Sequence, residues 1–435
     1  MITAFGKFTS NPPPNISGAV RIISHRSRFM MALAVFSLLC RLCSPAASLA
    51  AEGVEKGKTE DLSDNDESSN MESMGPTLSF SDKPVSFSVE SFGPMTLSFI
   101  GSGFSQWQTY RVSGDRTALA DAFNGHVILQ KSTGEFQFLL HAGVYSFPTL
   151  GAPYFRAGKT LSEYFGPIPE AYVKYAPNEN FNIIAGKIPT LGGVENGFTY
   201  QNQNIQRGLL WNQTSTIARG VQGAYTLGPI GLSFAWTDGY YTNRYTWASG
   251  SLSVQLDDSN AFMFIGAANV KPNSVSTIAA PITQNNSQIY NLIYSYASGP
   301  WTVTPYLQMT RVPAMPQYGV NVHGQTLGAA VLANYSFPAP SQWNEFSLGG
   351  VSLPFRAEYI AAKAEDADGA PNLLLGTTSR AWSLTFTPTI QRGPFFFRAE
   401  YAYVRAPKIM DGFGFGEDGD KRLQSRVSLE AGFIY

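Results

Sequence analysis

The amino-acid sequence predicts an all-β protein, a transmembrane antiparallel β-barrel of about 16 strands, within a range of about 14 to 18. Three observations support this prediction: segments in which apolar and polar residues alternate, links between them that alternate between short and long, and an unusual composition. Charged residues make up 14% of the chain, against about 25% in ordinary globular proteins, while the chain holds 41 glycines and 21 tyrosines. Composition would also suit a secreted β-sandwich, so the order of the segments decides.

The first 50 residues have the organisation of a secretory signal peptide. Basic residues precede an apolar run at 29–39, and a small-residue motif ends at Ala50. The run is about half of the ~20 residues that a spanning helix needs, so we expect residues 1–50 to be removed. Both cysteines, Cys40 and Cys43, lie in this segment, so the mature chain has no thiol for a disulfide or a metal site.

Residues 51–94 are expected to form a disordered, acidic, serine-rich periplasmic lead-in. The part at 51–75 has almost no apolar residue, and Pro84 and Pro94 interrupt the part that follows. The first 50 residues hold five basic and no acidic residues, which leaves 25 basic against 31 acidic residues in the remainder. This balance gives no indication of nucleic-acid binding.

From residue 95 to residue 435 the chain reads as a barrel, because strand-like segments follow one another without an amphipathic helix. In many of them every second residue is apolar, as at Phe136, Phe138 and Leu140, so that one face of the strand is apolar. The predicted strands are 95–112, 122–132, 135–146, 168–176, 180–187, 218–227, 229–237, 248–257, 260–270, 288–297, 301–311, 324–337, 352–363, 379–390, 393–404 and 425–435.

The links between these segments are sorted by length. Short links such as 132–134, 228 and 258–259 alternate with long ones such as 147–167 and 188–217, and only 338–351 is longer than its class. A transmembrane barrel has short periplasmic turns and longer external loops, whereas a soluble sandwich has no reason to sort its loops in this way.

The last strand supports the same interpretation. Val427, Leu429, Ala431, Phe433 and Tyr435 occupy alternate positions, and an aromatic residue ends the chain. A terminal amphipathic strand of this kind resembles the last strand of bacterial outer-membrane barrels. We therefore expect it to be the segment through which the barrel assembly machinery recognises the chain.

One pentapeptide, Phe-Arg-Ala-Glu-Tyr, occurs twice, at 355–359 and at 397–401. A charge that faces lipid at mid-depth costs about 2–4 kcal/mol, so its Arg and Glu are predicted to face the lumen. They would line the solute path or, as an equally good alternative, form a salt-bridge lattice across the wall. The candidates of this kind on the strands are Arg356, Glu358, Arg398, Glu400, Glu170 and Lys174.

The longest link, 188–217, is the candidate for a constriction. By analogy with general porins, the third external loop folds into the lumen, and the alternative is an external flap that packs only against neighbouring loops. Catalysis has little support, because His126, His141 and His323 are far apart and lack metal-ligand spacing. We expect no enzyme activity, no metal and no cofactor.

Three stretches around this link resemble a known family. Gly186–Glu195, Arg207–Leu210 and Arg219–Tyr225 are similar to the corresponding segments of the OmpL-like β-barrel porins, and the order of their Gly, Lys, Glu and Arg residues also occurs in phosphate-selective porins. The resemblance is specific over 186–225 and implies an outer-membrane channel. It adds Lys187, Glu195, Arg207 and Arg219 to the pore-lining or constriction candidates.

The predicted protein is therefore a porin of the bacterial outer membrane, through which small hydrophilic solutes or ions diffuse passively. A phosphate- or anion-selective channel and a non-conducting structural or adhesive barrel stay open as alternatives, although the wider basic lining of the phosphate-selective porins is not visible here. The expected partners are outer-membrane lipid, lipopolysaccharide, the barrel assembly machinery and, by analogy with sixteen-stranded porins, two further copies in a homotrimer.

Overall fold

The computed structural model describes residues 77–81, 84–90, 92–337, 350–364 and 374–435. The predicted signal peptide and the predicted lead-in as far as residue 76 lie outside these residues. Within them the protein is a closed antiparallel β-barrel. No helix in the described ranges has the length and apolar composition needed to cross a membrane.

The elements follow in chain order. The strands are β1 (Val85–Val89), β2 (Gly93–Gln108), β3 (Ala118–Lys131), β4 (Phe136–Tyr145), β5 (Glu170–Asn178), β6 (Phe181–Pro189), β7 (Ile217–Leu227), β8 (Ile230–Thr237), β9 (Trp247–Asp257), β10 (Asn260–Asn269), β11 (Gln288–Ser298), β12 (Trp301–Val312), β13 (Gly324–Tyr335), β14 (Val351–Ser352), β15 (Phe355–Ala364), β16 (Arg380–Phe386), β17 (Thr389–Arg392), β18 (Phe395–Lys408) and β19 (Leu423–Ile434). Two short α-helices, α1 (Ala157–Glu163) and α2 (Ile282–Asn285), and three 3₁₀ turns, Thr199–Gln201, Leu210–Gln213 and Pro316–Tyr318, lie in the links.

Sixteen strands span the barrel wall in the described part of the chain. Of the nineteen segments, the short strand β1 does not span the wall, and two spanning strands are each divided into two segments by a proline. Pro354 separates β14 from β15, and Pro388 separates β16 from β17, yet β14 pairs with β17 and β15 with β16 as two halves of one antiparallel pair. Proline has no N–H to give to a ladder, so it leaves a gap in the strand. Counted in this way, the predicted barrel of sixteen strands is confirmed.

The barrel closes between its last and first spanning strands. β19 pairs with β2 from Arg426 opposite Gln108 to Ile434 opposite Ile100. Tyr435 completes the seam, since its N–H and C=O bond with the backbone of Phe99 at 2.9 and 2.7 Å. The final residue is thus part of the ladder that removes the edges of the sheet.

One strand was not predicted. Residues 85–89, assigned above to the disordered lead-in, form β1 and pair with β2 from Val85 opposite Leu97 to Val89 opposite Gly93. The assignment was wrong because the two prolines do not prevent pairing here: Pro84 precedes β1, and Pro94 lies in β2 opposite Ser88, next to the turn, where a missing N–H is tolerated. All five side chains of β1 are exposed.

The links alternate in length as predicted. Three of the short turns are Gly-Pro pairs, in which Gly228, Gly299 and Gly393 have φ values of +56°, +55° and +55°. These angles favour glycine, and the following proline has a φ that is already fixed, so the pair sets a tight turn. All short turns lie at one end of the barrel, which in this fold is the periplasmic end.

Alternation along the strands separates two faces. On β18, Phe395 and Tyr401 face outward and are 69% and 50% exposed, whereas Arg398 and Glu400 between them face the lumen and are at most 2% exposed. Apolar side chains therefore cover the face that meets lipid, and the Arg and Glu of the repeat are inside. The inward direction predicted for both Arg-Glu repeats follows from this pattern.

Candidate functional site

The link between β6 and β7, residues 190–216 and here called loop 3, lies inside the barrel. Asn291 on β11 donates its amide to the carbonyl of Gly192 at 2.9 Å. Gln308 on β12 donates to the carbonyl of Leu210, also at 2.9 Å. Neither strand neighbours β6 or β7 in the sheet, so the loop crosses the lumen. The prediction that this loop folds inward is confirmed.

Two carboxylates of the wall hold the backbone of loop 3. Glu400 accepts the consecutive N–H groups of residues 205–206 at 2.6 and 3.1 Å. Glu358 accepts those of residues 209–210 at 3.0 and 3.3 Å. Hydrogen bonds to a buried ionised acceptor are about twice as strong as neutral ones. The loop is thus fixed by its main chain at two points.

Gly208 lies between these two points and makes the close approach possible. A Cβ at this position would overlap the Glu358 carboxylate. The N–H of Gly208 donates to the other nearby carboxylate, Glu195, at 3.0 Å. Any larger residue would have to displace the carboxylate that holds the next two residues of the loop.

Arg356 also connects loop 3 to the wall, in this case through a positively charged side chain. Its Nη1 pairs with Glu195 Oε1 at 2.5 Å and donates to the carbonyl of Gln206 at 2.8 Å. Its Nη2 donates to Thr385 Oγ1 at 3.2 Å, and its Nε lies 3.3 Å from Glu358. A buried guanidinium needs several acceptors, and both loop and wall supply them.

Arg398 repeats this role one strand pair further on. It donates to the carbonyls of Asn202 and Thr199 at 3.0 and 3.1 Å. Its Nε donates to Glu430 on β19 at 3.0 Å, and Ser102 on β2 donates to the same side chain at 2.8 Å. Three adjacent strands and the first half of loop 3 therefore meet at one charged pair.

Arg426, also on β19, extends the network to the link between β4 and β5, residues 146–169 and here called loop 2. It donates to the carbonyls of Thr149 and Ala152, each at 2.8 Å. The same guanidinium donates to the side-chain oxygen of Gln206 in loop 3 at 3.0 Å. One wall arginine thus holds both loops.

Arg207 joins the two loops directly. Its N–H donates to the carbonyl of Pro148 at 2.9 Å, and its carbonyl accepts the N–H of Leu150 at 3.0 Å. The guanidinium turns back into loop 3, where it donates to the carbonyls of Ile205, at 3.1 Å, and Gly197. Because Arg207 is fully buried, its place is within the loop structure and away from the solvent-filled space.

Glu170 belongs to a chain of buried side chains beneath loop 3. His141 Nδ1 lies 2.8 Å from Glu170, and His141 Nε2 lies 2.8 Å from His126 Nδ1. The ring of Phe198 in loop 3 packs on both imidazoles, with centroids 5.1 and 4.7 Å away. In the described part of the chain, no three His, Cys, Asp or Glu side chains come together as a metal site.

Lys187 and Arg219 do not face the lumen, which corrects their assignment as pore-lining candidates. They are opposite each other on β6 and β7 and share the outer face with Val221, which is 49% exposed. Lys187 donates to the carbonyl of Ile168 at 2.7 Å, and Arg219 donates to Asp238 at 2.8 Å. The resemblance to the porin family identified these two residues, but the face to which each side chain points is decided by the two-residue alternation along the strand.

The remaining candidates separate into two groups. Lys174 is on the lumen side of β5, nearer the periplasmic turn, and stays partly exposed. The others are buried between wall and loop; their exposed fractions are Arg356 0%, Glu358 4%, Arg398 0%, Glu400 2%, Glu170 7%, Glu195 7% and Arg207 0%.

One cluster of contacts between loop 3 and the wall was not predicted from the sequence. Gln213 at the end of loop 3 accepts bonds from Gln308, Thr310 and Thr326 at 3.2, 3.1 and 2.7 Å. The available signal was the polar side chains at alternate positions 308 and 310 of β12, which face the lumen. Such neutral residues are common in any barrel interior, so this signal does not single out a site.

Protonation of Glu195 is expected to strengthen the anchorage of loop 3. Burial raises the pKa of the Glu195 carboxyl from its usual 4.5 to about 7, although Arg356 beside it acts in the opposite direction. The anchored loop then binds the proton more tightly than the detached loop. The stabilisation is therefore fully present below pH 4.5 and is lost as the pH rises towards 7.

The midpoint of heat-induced unfolding of the purified barrel, followed by gel migration, measures this effect. Between about pH 5 and about pH 8 the wild-type midpoint is expected to fall, and the slope is expected to be shallower in Glu195→Gln. Parallel slopes for the two proteins would contradict the assignment of the proton to Glu195.

Comparison with known proteins agrees with this architecture. The family model described as "Putative beta-barrel porin-2, OmpL-like" matches residues 101–435. An anion-selective porin from Comamonas acidovorans has a similar structure, with a TM-score of 0.51, 11% identity and coverage of 78% of this chain and 99% of that one. The loop L8 deletion mutant of OmpT from Vibrio cholerae gives a TM-score of 0.49, 10% identity and coverage of 78% and 99%. No curated protein matches the chain.

The likeness to the Comamonas acidovorans porin shows the fold, and the family model carries the assignment. Its match begins within β2 and runs to residue 435, so it includes loop 3 and the wall residues that hold it. The chain belongs to the OmpL-like β-barrel porin family and is a porin of the bacterial outer membrane.

Proposed function

We propose that loop 3 sets the width and polarity of the path by which small hydrophilic solutes or ions diffuse through this porin. The main support is that Glu358 and Glu400 both accept hydrogen bonds from the backbone of loop 3. A loop held in this way at mid-barrel is a fixed constriction, since both its backbone and its anchors are buried. On this proposal, solutes pass without chemical conversion and without coupling to an energy source.

The charged residues of the repeats support the constriction and do not contact the solute. Arg356 and Arg398 give their donors to loop carbonyls and to Glu195 and Glu430, so little of their charge is available to an ion. Solute contact is proposed instead for side chains that stay partly exposed on the lumen face, among them Lys174.

Anion selectivity is the second candidate, and the chain offers limited support for it. Lys174 is a basic residue on the lumen face, and one similar structure is an anion-selective porin. Lys187 and Arg219, which the resemblance to phosphate-selective porins had added, are on the outer face. The balance favours a channel with weak selectivity over a dedicated phosphate path.

A homotrimer and recognition of the last strand by the barrel assembly machinery are further parts of the proposal. Support for the second comes from Tyr435, whose backbone bonds with Phe99 close the barrel. This residue takes part in the pairing of β19 with β2 that closes the barrel, so the last strand is a suitable recognition element.

Conductance of the purified protein in a planar lipid bilayer, followed by the reversal potential across a KCl gradient, tests the proposal. Discrete open-channel steps with a small reversal potential are the expected result, and a large potential of the anion sign would favour the second candidate. A barrel that inserts and shows heat-modifiable gel migration but conducts nothing would overturn the channel and leave the non-conducting structural barrel.

A further inference from the structure

A short stretch of the chain before β1, residues 77–81 and here called segment 77–81, enters the lumen from the periplasmic end. Leu78 is 3% exposed. It belongs to a buried apolar cluster with four side chains of the surrounding strands, Ile100, Ile128, Phe396 and Ile434. The residues next to these in sequence, such as Val127 and Phe395, are exposed on the outer face, so the cluster is on the lumen face. Leu78 is therefore inside the barrel.

Gln391 on β17 holds segment 77–81 by its main chain. The N–H of Ser79 donates to Oε1 of Gln391 at 2.9 Å, and Nε2 of Gln391 donates to the carbonyl of Ser79 at 2.7 Å. The same Nε2 donates to the carbonyl of Gly393 in the following turn at 3.2 Å, which fixes the orientation of the amide. One side chain thus supplies both of the hydrogen bonds that a neighbouring strand would otherwise give to Ser79.

Phe80 joins segment 77–81 to loop 3. Its ring meets the ring of Tyr200 edge to face, with the centroids 6.2 Å apart. Tyr200 is 4% exposed and stacks on Phe198, the ring that packs on the two buried imidazoles. Phe80 is 42% exposed, so the part of its ring that does not touch loop 3 borders the open lumen. The segment therefore lies between loop 3 and the periplasmic opening.

The hairpin of β1 and β2 explains why the segment reaches this place. β19 ends beside Phe99 of β2, and β1 pairs with the same edge of β2 from Leu97 to Gly93. The start of β1 is therefore directly below the end of β19. Ser81 is four residues before Val85, a distance of at most about 14 Å along the chain. Segment 77–81 is thus held close to the seam of the barrel.

We propose that segment 77–81 obstructs the lumen beneath loop 3 and so sets the width of the pore at a second level. The proposal rests on the diffusion path proposed above. Two separate features hold the segment, the burial of the Leu78 side chain and the two main-chain bonds to Gln391. Neither belongs to the ladder between β19 and β2, so we expect the barrel to stay closed when the segment is released.

Single-channel recording of full-length variants in a planar bilayer tests the obstruction. Gln391→Ala removes both main-chain bonds and is expected to conduct more than the wild type. Ser79→Ala keeps the peptide N–H and C=O and is the matched control, with conductance expected to equal that of the wild type. Ser79→Pro loses the N–H alone and is expected to lie between them. Heat-modifiable gel migration checks that each variant folds.

Cysteine labelling tests the same contact without any current. The chain has no cysteine after Cys43, so an introduced thiol is unique in residues 51–435. In the folded barrel, Leu78→Cys is expected to react slowly with a maleimide. Adding Gln391→Ala is expected to raise this rate about tenfold, because two hydrogen bonds of the bound segment are lost. Ser88→Cys on the exposed strand β1 is the control and is expected to react fast in both backgrounds.

The two measurements separate the possible outcomes. Fast labelling of Leu78→Cys with Gln391 intact would overturn the proposal, because the segment would then not occupy the lumen. Faster labelling in Gln391→Ala without a rise in conductance would also overturn it, since a bound segment that leaves the current unchanged is no obstruction. A wild-type barrel that protects the thiol and conducts nothing would contradict the channel and would leave the segment in its place.

Discussion

Replacement of Glu400 with alanine is expected to give channels with larger and noisier conductance than the wild type. The carboxylate is 2% exposed and accepts the N–H groups of residues 205–206 at 2.6 and 3.1 Å and the side chain of Gln206 at 2.9 Å. Its removal leaves these buried donors without an acceptor. Breaking a buried charged cluster in this way costs about 3–5 kcal/mol, which raises the population of the detached loop relative to the anchored loop by about two to four orders of magnitude.

Single-channel recording in a planar bilayer measures the change. Glu400→Gln keeps one acceptor oxygen and is expected to lie between Glu400→Ala and the wild type. Glu179→Ala, in an exposed periplasmic turn, is the control with the same loss of charge and is expected to conduct like the wild type. A folded Glu400→Ala barrel with wild-type conductance and noise would show that loop 3 keeps its place without this carboxylate.

Replacement of Arg398 with methionine is expected to have the largest effect on stability. Arg398 is fully buried and is bonded to Glu430 on the neighbouring strand and to two loop carbonyls. Methionine leaves the Glu430 carboxylate buried beside Ser102 and Asn124 without its cation. The expected loss is about 3–5 kcal/mol in the free energy of unfolding.

The second substitution in a double-mutant cycle distinguishes an unpaired charge from lost packing. R398M/E430Q is expected to be more stable than R398M alone, because the uncompensated carboxylate has gone. Urea-induced unfolding in micelles, followed by tryptophan fluorescence, gives the free energies. Arg244→Met in an exposed loop is the control, with an expected change within about 0.5 kcal/mol. If the two substitutions add without interaction, the ion pair does not hold these strands.

Much of the barrel wall could be predicted, because each strand is specified by residues close to one another in the sequence. A period of two in the apolar residues fixes each strand, and the sorted link lengths fix its direction, so that even the boundaries of β10 and β12 agree to within a residue or so. The hairpin strand β1 was missed because five residues between prolines carry little pattern. Lys187 and Arg219 were misplaced because a motif was followed where the alternation with Ile184 and Ile188, both buried, already pointed the other way.

The role of the inward charges could be predicted only in part. Alternation correctly directs Arg356, Glu358, Arg398 and Glu400 to the lumen, and a salt-bridge lattice was one of the alternatives. That loop 3 covers these residues could not be predicted from the sequence, since it depends on contacts between residues far apart in the chain. Leu209 and Glu358 are 149 positions apart, and Ile205 and Glu400 are 195 positions apart.

The carboxylates of the wall hold loop 3 by its main chain, and this has a consequence for how such porins diversify. Every residue except proline has a peptide N–H group. Substitution of the side chains at 205, 206, 209 or 210 therefore leaves the backbone hydrogen bonds to Glu400 and Glu358 available. Between these positions, Gly208 is constrained by space, because a Cβ there would overlap the Glu358 carboxylate. The residues of loop 3 can therefore change from one relative to another, within the space that the buried loop leaves them, while the loop itself stays at the same depth in the barrel.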